Sequence, residues 1–326
     1  MKLIIQIPCY NEAGTLAIAL AELPRHVPGF DRVEWLIVDD GCTDATREVA
    51  RACGVDHIVR HGTNRGLAQA FMTGLDASLR FGADVIVNTD ADNQYAAADI
   101  PALTQPIVNG CAEFVIGARP IDAIEHFSTL KKFLQRIGSG VVRLASGSDV
   151  PDAPSGFRAM SRAAAQRLVV FSDYTYTLET IIQAGQKNMA MVSVPVHVNR
   201  DLRPSRLVRS TASYVRRSIM TIVRIFVIYR PFRFFASIGI VLFMAGLIPG
   251  IRFLLKLLEG DGEGHIQSLI LAAILIGMGF QTMLIAFVAD LLAANRKLLE
   301  DVRYRALSQA DTPTTDERVK LKEVAQ

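Results

Sequence analysis

Residues 84–95 read DVIVNTDADNQY, an apolar run that passes directly into an acidic turn. Consecutive Val and Ile residues favour a β-strand that is buried on both faces. Two carboxylates follow at Asp90 and Asp92, and the amide of Gln94 comes next. The sequence therefore predicts three oxygen-bearing side chains just beyond the end of a buried strand.

The same arrangement of an apolar run and a polar turn occurs earlier in the chain. The segment PCYNE at residues 8–12 follows one apolar run, and DDGCTD at residues 39–44 follows another. We predict strands at residues 3–7, 34–38, 84–88, 113–117 and 189–194. Three of these strands thus end in acids and amides.

Between the predicted strands, apolar residues recur at helical spacing. This periodicity predicts helices at residues 13–23, 44–53, 66–81 and 100–109, the second of them capped by Thr43 or Asp44. Strands that alternate with helices indicate an α/β fold, with a parallel sheet covered by helices on both faces. Because ligands of such sheets bind beyond the carboxyl ends of the strands, we expect the polar turns to form the functional site.

Two long segments without a charged residue lie in the last third of the chain, at residues 234–251 and 266–289. As helices they would be about 27 and 36 Å long, close to the ~30 Å hydrocarbon core of a bilayer. We predict two transmembrane helices there; the alternative is a pair of helices buried in a soluble core. The mean hydropathy of +0.27 favours the membrane.

Charges beside these segments predict their orientation. Nine arginines and a single acid, Asp201, lie between residues 200 and 233, whereas the loop at residues 259–265 is acidic. Because positive loops stay in the cytoplasm, we expect a multi-pass protein of the cell membrane with a cytoplasmic N-terminal domain and C-terminus. The predicted divisions are an α/β domain at 1–206, an amphipathic interfacial helix at 207–231, two spans within 232–295 and a tail at 296–326.

The composition excludes several classes of protein. Hydrophobic residues make up 50% of the 326 residues and charged residues 21%, which excludes a disordered chain. The four cysteines form no CxxC pair or zinc-type cluster, so we expect reduced thiols. The first residues lead into PCYNE, which indicates a strand and not a signal peptide.

The turn after the strand at residues 84–88 has the chemistry of a cation site. Carboxylates at Asp90 and Asp92, with the neutral oxygen of Gln94, suit a hard ion such as Mg²⁺ or Mn²⁺ that also binds phosphates. Two acids in a turn are also typical of a solvated loop. The neighbouring polar turns favour the functional interpretation.

Six segments, in this order, carry a resemblance to a known family: PCYNE at 8–12, VDDGCTD at 38–44, NRG at 64–66, DADNQ at 90–94, IGAR at 116–119 and SGFR at 155–158. The chain resembles the inverting family 2 glycosyltransferases, and this resemblance implies the GT-A fold of nucleotide-diphospho-sugar transferases, a mostly parallel sheet covered by helices. It is most similar to the polyisoprenyl-phosphate glycosyltransferases, the group of dolichyl-phosphate mannosyltransferase and undecaprenyl-phosphate glucosyltransferase. The resemblance covers the chain up to residue 207, and the two-helix C-terminal anchor matches the membrane-bound members.

The resemblance implies a role for each matching residue. Nucleotide-sugar-binding residues would be Pro8, Tyr10, Glu12, Asp39, Arg65 and Asp90. Ligands of Mg²⁺ or Mn²⁺ would be Asp90, Asp92 and Gln94. Catalytic residues would be Asp92, Arg119, Arg158, Arg200 and Arg206. Lipid-phosphate contacts would come from Lys131, Arg136, Ser155 and Arg158.

Two departures from the family pattern affect the acceptor side. The family segment R-x-x-G-x-S-K is RDLRPSR here, at residues 200–206, so arginines replace both the glycine and the lysine. The Arg and Ser that the family carries on an earlier helix are Lys131 and Gln135 here, with Arg136 adjacent. Because lysine supplies a point charge and not a bidentate fork, we expect the acceptor contacts to be redistributed.

The resemblance implies an enzyme that moves a hexose from a UDP- or GDP-linked sugar to a polyisoprenyl phosphate, undecaprenyl in preference to dolichyl. The bilayer and a second copy in a homo-oligomer are the other partners considered, and no nucleic acid is expected. The alternatives are a family 2 transferase acting on another acceptor, such as a lipid-linked or growing glycan, and a non-catalytic membrane scaffold. The sequence lacks the Q-x-x-R-W of polysaccharide synthases and a G-x-G-x-x-G after the first strand, as a nicotinamide oxidoreductase would have.

Overall fold

The structure is a computed structural model that describes residues 1–120, 140, 143, 147, 150–170, 176–199, 220, 223–224, 227–259 and 266–310. Four predicted site residues lie outside the described residues: Lys131, Arg136, Arg200 and Arg206. Most of the predicted interfacial helix also lies outside them. The described residues fall into two compact units, one within residues 1–218 and 303–326 and the other within residues 219–302.

A seven-stranded sheet forms the centre of the first unit. Its strands are β1 Lys2–Cys9, β2 Arg32–Asp39, β3 His57–Arg60, β4 Val85–Asn88, β5 Phe114–Ala118, β6 Arg158–Ser161 and β7 Met191–Pro195. They are arranged in the order β3-β2-β1-β4-β6-β5-β7. Only β6 runs antiparallel to its neighbours, β4 and β5, whereas the other pairs are parallel. The predicted, mostly parallel sheet is confirmed.

Two of these strands were not predicted. Neither β3 nor β6 contains a long apolar run, and each has only four residues. The second omission matters for the site, because Arg158 is the first residue of β6 and lies opposite Asn88 of β4 and Ile116 of β5. A residue that was expected in a loop therefore belongs to the middle of the sheet.

Helices cover the sheet, and the four predicted ones are confirmed with shorter ends. They are α1 Leu16–Glu22, α2 Thr46–Ala52, α3 Leu67–Arg80 and α4 Ile100–Val108, followed by α5 Arg162–Arg167 and α6 Thr177–Gln186. The start of α2 agrees in part with the predicted cap, since the Asp44 carboxylate accepts the backbone N–H of Thr46 at 3.1 Å. Ala45, however, occupies the N-cap position.

The core lies on both faces of β1. Leu3, Ile5 and Ile7 are fully buried in one apolar cluster together with residues of α1 and α4. Ile4 is also fully buried, as is Phe71 of α3, which packs against β1 and β2. Burying one such side chain contributes about 1.5–3 kcal/mol, so the apolar runs of the sequence account for the position of the sheet.

The second unit contains two long apolar helices, α7 Pro231–Leu258 and the part of α8 Ile266–Ala310 that ends at Val302. Each helix contains an 18-residue stretch with a mean hydropathy of 2.2, and only 17% of that stretch is buried. Both helices are long enough to cross a membrane. The predicted apolar segments lie inside them, and α7 continues through Pro249.

Small residues bring α7 and α8 close together. A Cβ atom added to Gly279 of α8 would lie 2.7 Å from the backbone nitrogen of Phe243, and one added to Gly246 of α7 would lie 2.9 Å from the nitrogen of Ile276. Close backbone approach at glycine is typical of helix pairs in membranes, where dispersion contacts and not the hydrophobic effect hold helices together.

Candidate active site

The polar turns after β1, β2 and β4 lie at one edge of the sheet. The three strands are adjacent and parallel, with Cys9 opposite Asp39 and Gln6 opposite Asn88. Their carboxyl ends therefore present residues 10–12, 39–44 and 90–94 on the same side. This is the edge at which α/β sheets bind ligands, as expected from the sequence.

Asp39 provides a buried hydrogen-bond acceptor at this edge. Its Oδ1 accepts the backbone N–H of Cys42 at 2.7 Å. Its Oδ2 is buried and has no hydrogen-bond partner among the described residues, although Arg47 Nε lies 3.3 Å away and Arg60 Nε 3.7 Å away. Because a buried acceptor without a hydrogen bond is costly, Oδ2 is suited to accept one from a ligand.

The first two polar turns are joined by hydrogen bonds. Asn11 adopts a left-handed backbone conformation with a φ of 55°, and its Oδ1 accepts the Thr43 N–H at 2.8 Å. The Glu12 N–H donates to Thr46 Oγ1 at 2.9 Å. Of the other predicted residues on this turn, Tyr10 is 44% exposed, whereas Pro8 is buried within β1.

Asp40 organises the NRG loop, a role that sequence reasoning missed. Its carboxylate accepts the backbone N–H groups of Arg65 at 2.8 Å and Gly66 at 2.9 Å. His61 Nδ1 also lies 2.7 Å from Asp40 Oδ1. The Arg65 side chain is exposed at the rim of the site. In the sequence, the second acid of the D-D-G motif, Asp40, could have indicated this role.

Gly41 is required for this packing. Its φ is 71°, in the left-handed region, and an added Cβ would lie 2.6 Å from the backbone nitrogen of Asn64. Only glycine fits such a position without moving one loop away from the other.

The acidic turn after β4 is half-buried. Asp92 Oδ1 accepts the backbone N–H of Gln94 at 3.2 Å. Burial and, next, the neighbouring Asp92 carboxylate raise the pKa of Asp90 to about 7. Asn93, with a φ of 58°, donates from Nδ2 to Glu22 Oε1 at 2.9 Å, which attaches the turn to α1.

The acidic turn is also attached to the chain just before the basic segment at residues 200–206. The Asn199 N–H donates to the Gln94 carbonyl at 2.9 Å, and Asn199 Nδ2 donates to the Asn93 carbonyl at 3.1 Å. Tyr95 and Val198 form an antiparallel bridge beside them. Val198 and Asn199, the last residues described before the basic segment, therefore lie against the acidic turn.

Two predicted cations are engaged inside the protein. Arg119 makes a bidentate pair with the buried Asp152, from Nε to Oδ2 at 2.7 Å and from Nη2 to Oδ1 at 3.1 Å. Arg158 is fully buried, and its Nε and Nη2 donate to the carbonyls of Ser155 at 2.8 Å and Ala153 at 2.9 Å. Burial lowers the pKa of Arg158 to about 10.

This placement does not favour the predicted contact between Arg158 and a phosphate. The guanidinium is enclosed between the rings of Phe114 and Tyr176, each 5.7 Å away, because the residue lies on a central strand. Ser155, by contrast, has a fully buried Oγ without a hydrogen-bond partner among the described residues.

The acidic turn offers oxygen atoms of the kind that hold a divalent cation together with a diphosphate. Among the described residues, no group of three or more His, Cys, Asp or Glu side chains could hold a metal. The predicted set of Asp90, Asp92 and Gln94 would supply only two carboxylates and one amide oxygen, and would leave the other positions to phosphate or water. Mg²⁺ is commonly held in this way, by one or two carboxylates together with substrate phosphates.

The family match and the GT-A-like fold identify the protein as a glycosyltransferase. Residues 4–169 match the family model of Glycosyl transferase family 2, which covers half of the chain. The protein belongs to this family, and the predicted resemblance is confirmed.

Several curated relatives are similar to this chain. The UDP-N-acetylglucosamine–dolichyl-phosphate N-acetylglucosaminyltransferase of Methanococcus voltae is 30% identical over 214 residues, which cover 58% of this chain and 82% of that one. The undecaprenyl-phosphate mannosyltransferase of Micrococcus luteus is 28% identical over 218 residues, which cover 64% and 88%.

A solved structure with the same fold is glucosyl-3-phosphoglycerate synthase from Mycobacterium tuberculosis. Its complex with phosphoglyceric acid has a TM-score of 0.54 at 20% identity, covering 68% of this chain and 79% of that one. Its complex with Mn²⁺, uridine diphosphate and glucosyl-3-phosphoglycerate has a TM-score of 0.52 at 20% identity, with the same coverage. At this identity the likeness shows the fold alone.

Proposed function

We propose that this glycosyltransferase transfers a hexose, with inversion, from a UDP- or GDP-linked sugar to a polyisoprenyl phosphate. The product is a lipid-phosphate-linked sugar. Undecaprenyl phosphate is the proposed carrier. Relatives named for dolichyl-phosphate and undecaprenyl-phosphate transfer support the class of acceptor.

One observation carries the proposal. Three adjacent strand ends bring the buried Oδ2 of Asp39, which has ion-pair neighbours but no hydrogen-bond partner among the described residues, and the crowded carboxylates of Asp90 and Asp92 to the same edge of the sheet. The first suits the base or ribose of a nucleotide, and the others suit a cation on its diphosphate. The neighbouring turns, with Tyr10, Glu12 and Arg65 at the rim, complete the donor side.

The bound cation would supply electrostatic stabilisation of charge on the leaving diphosphate. Asp90, Asp92 and Gln94 would hold Mg²⁺ or Mn²⁺ at that place. Mn²⁺ and uridine diphosphate are present in a solved structure of the same fold, glucosyl-3-phosphoglycerate synthase.

The acceptor needs no general base in this proposal. A phosphate monoester has a second pKa near 6, so at neutral pH its oxygen is already a largely anionic nucleophile. The site must instead bring two polyanions together, for which cations are required. Arg200 and Arg206 remain the proposed contacts for this step, with Lys131, Arg136 and Ser155 on the lipid phosphate.

For Arg119 and Arg158 we propose a different role from the one that the sequence suggested. Both have their guanidinium groups engaged with internal partners. We assign to them the positioning of the acceptor-side loop at residues 152–158, and not a contact with a phosphate.

The apolar helices α7 and α8 support a site at the membrane surface. A polyisoprenyl phosphate stays in the bilayer, so the enzyme must bind there. The charges predict that both termini are cytoplasmic. We retain the predicted division into a catalytic domain at 1–206, an interfacial segment at 207–231, two spans within 232–295 and a tail at 296–326.

A transfer assay tests the proposal. The purified full chain in detergent is given Mg²⁺ or Mn²⁺, undecaprenyl phosphate and a panel of radiolabelled UDP- and GDP-sugars, and label is followed into the organic phase. We expect metal-dependent label from one donor, and none without the lipid. Binding of nucleotide without transfer from any donor to either undecaprenyl or dolichyl phosphate would overturn the proposed acceptor.

A further inference from the structure

A cluster of buried polar side chains holds the backbone of Gly156, in the SGFR segment, from two directions. The Gly156 N–H donates to the hydroxyl of Tyr95 at 2.9 Å. The Gly156 carbonyl accepts a hydrogen bond from Asn88 Nδ2, also at 2.9 Å. Asn88 Nδ2 also donates to the Tyr176 hydroxyl at 2.9 Å, which adds Tyr176 to the cluster. We call Asn88, Tyr95 and Tyr176 the Gly156 clamp.

The clamp side chains are buried, and both tyrosine rings are stacked on neighbouring rings. Asn88 is fully buried, Tyr176 is 1% exposed and Tyr95 is 4% exposed. The Tyr176 ring is stacked on Phe71 with centroids 3.9 Å apart, and the Tyr95 ring is stacked on Phe157 at 5.1 Å. Because a polar group that loses its partner in such a place is costly, other positions of Gly156 are disfavoured.

The clamp connects the two loops of the site. Asn88 is the last residue of β4, two positions before Asp90 of the acidic turn, and Tyr95 follows Gln94 directly. Both ends of the turn are therefore attached to the same glycine of the SGFR segment. Sequence spacing alone does not reveal this, because about sixty residues separate Tyr95 from Gly156.

Gly156 itself is fitted against the acidic turn. An added Cβ would lie 2.9 Å from the Tyr176 hydroxyl and 3.0 Å from Asp90 Oδ2. The absence of a side chain thus allows the Asp90 carboxylate to approach the SGFR segment closely. A shift of Gly156 would change the distance between the donor-side carboxylates and the acceptor-side loop.

We propose that Tyr95 and Asn88 are positioning residues, which hold the SGFR segment against the acidic turn so that donor and acceptor meet at the correct distance. This inference rests on the proposed function for its catalytic part. Small errors of position at a reacting centre lower the rate strongly, while binding of each substrate by itself is little affected.

The test is Tyr95→Phe, which keeps the stacked ring and removes only the hydroxyl that accepts the Gly156 N–H. We expect kcat for transfer to fall about tenfold, with the dissociation constant for Mn²⁺ and UDP unchanged within about twofold. Tyr304→Phe is the matched control, because this half-buried tyrosine of α8 has its ring centroid 5.2 Å from the Arg167 guanidinium and contacts no residue of the clamp among those described; it should transfer at the wild-type rate. Tyr176→Phe, which removes the other hydroxyl, should behave like Tyr95→Phe and serves if that variant does not fold.

Hydrogen exchange measured by mass spectrometry separates this inference from the proposed function. In Tyr95→Phe, amides of residues 150–158 should exchange about tenfold faster than in the wild type, while β1 and β2 are unchanged. This arm needs no acceptor, so it is informative even if the wild type fails to transfer to a polyisoprenyl phosphate. Unchanged exchange would refute the clamp, and faster exchange with wild-type kcat would refute its positioning role.

Discussion

Replacing Asp92 by alanine should remove activity while leaving the fold intact. The Asp92 carboxylate is half-buried and accepts one backbone N–H, that of Gln94, at 3.2 Å. Losing one such bond at a partly exposed position costs about 1 kcal/mol of unfolding free energy. For a domain of this size that lowers the melting temperature by about 2–4 °C.

The effect of Asp92→Ala on transfer should be much larger. Removing one group that stabilises developing charge typically lowers kcat by about 10²–10³-fold. The assay is the initial rate of sugar transfer to undecaprenyl phosphate in detergent with saturating Mn²⁺, measured beside the apparent melting temperature of the same preparation.

Asp84→Ala is the matched control for this experiment. Asp84 precedes the other end of the same strand, is exposed, and accepts the backbone N–H of Lys2 at 2.7 Å. Its replacement should lower stability by a similar amount and leave transfer unchanged. The reasoning fails if Asp92→Ala keeps more than about a tenth of the wild-type rate, or if both variants lose activity equally.

Three further predictions concern stability, helix packing and thiol chemistry. Asp40→Ala removes the acceptor of the Arg65 N–H and the partner of the His61 ring, and leaves the Gly66 N–H only its bond to Asn64 Oδ1, so it should cost about 3 kcal/mol and lower the melting temperature by about 10 °C; a fall of only 2–3 °C would contradict the assigned role. Gly279→Leu should reduce the monodisperse yield in detergent because its side chain would meet the backbone of α7, whereas Gly277→Leu, with open space around it, should not; equal yields would argue against the close approach. Burial raises the pKa of the Cys42 thiol to about 11, whereas Cys111 is exposed. At pH 8 iodoacetamide should therefore modify Cys111 quickly and Cys42 only after unfolding, which mass spectrometry of the labelled peptides measures.

Residue patterning was sufficient for the strands that carry the site. β1, β2 and β4 each combine a buried apolar run with a polar turn, so local pattern and tertiary environment agree. The short strand β6 lacks such a run, and it pairs with residues some seventy positions away in the chain. Its existence depends on partners that no local window contains.

The roles predicted for the arginines also depended on contacts that the local sequence does not contain. A motif places Arg158 beside the acceptor loop in the chain, but it does not say whether the guanidinium faces the substrate or the interior. The structure puts this residue on a central strand, where carbonyl groups of its own loop occupy its donors. Arg119 is likewise paired with Asp152.

By itself the sequence determined the α/β class, the acidic turn at Asp90 and Asp92, the two apolar helices and the family. These features follow from residues that are neighbours in the chain, because an apolar run and the polar side chains beside it lie within a few positions of each other. Only the tertiary structure decided that Asp40 holds the NRG loop, that Arg158 is buried and that Asn88 and Tyr95 form hydrogen bonds with the backbone of Gly156. Such contacts join residues far apart in the chain, and hydrogen bonds between them form only after the sheet has set their register.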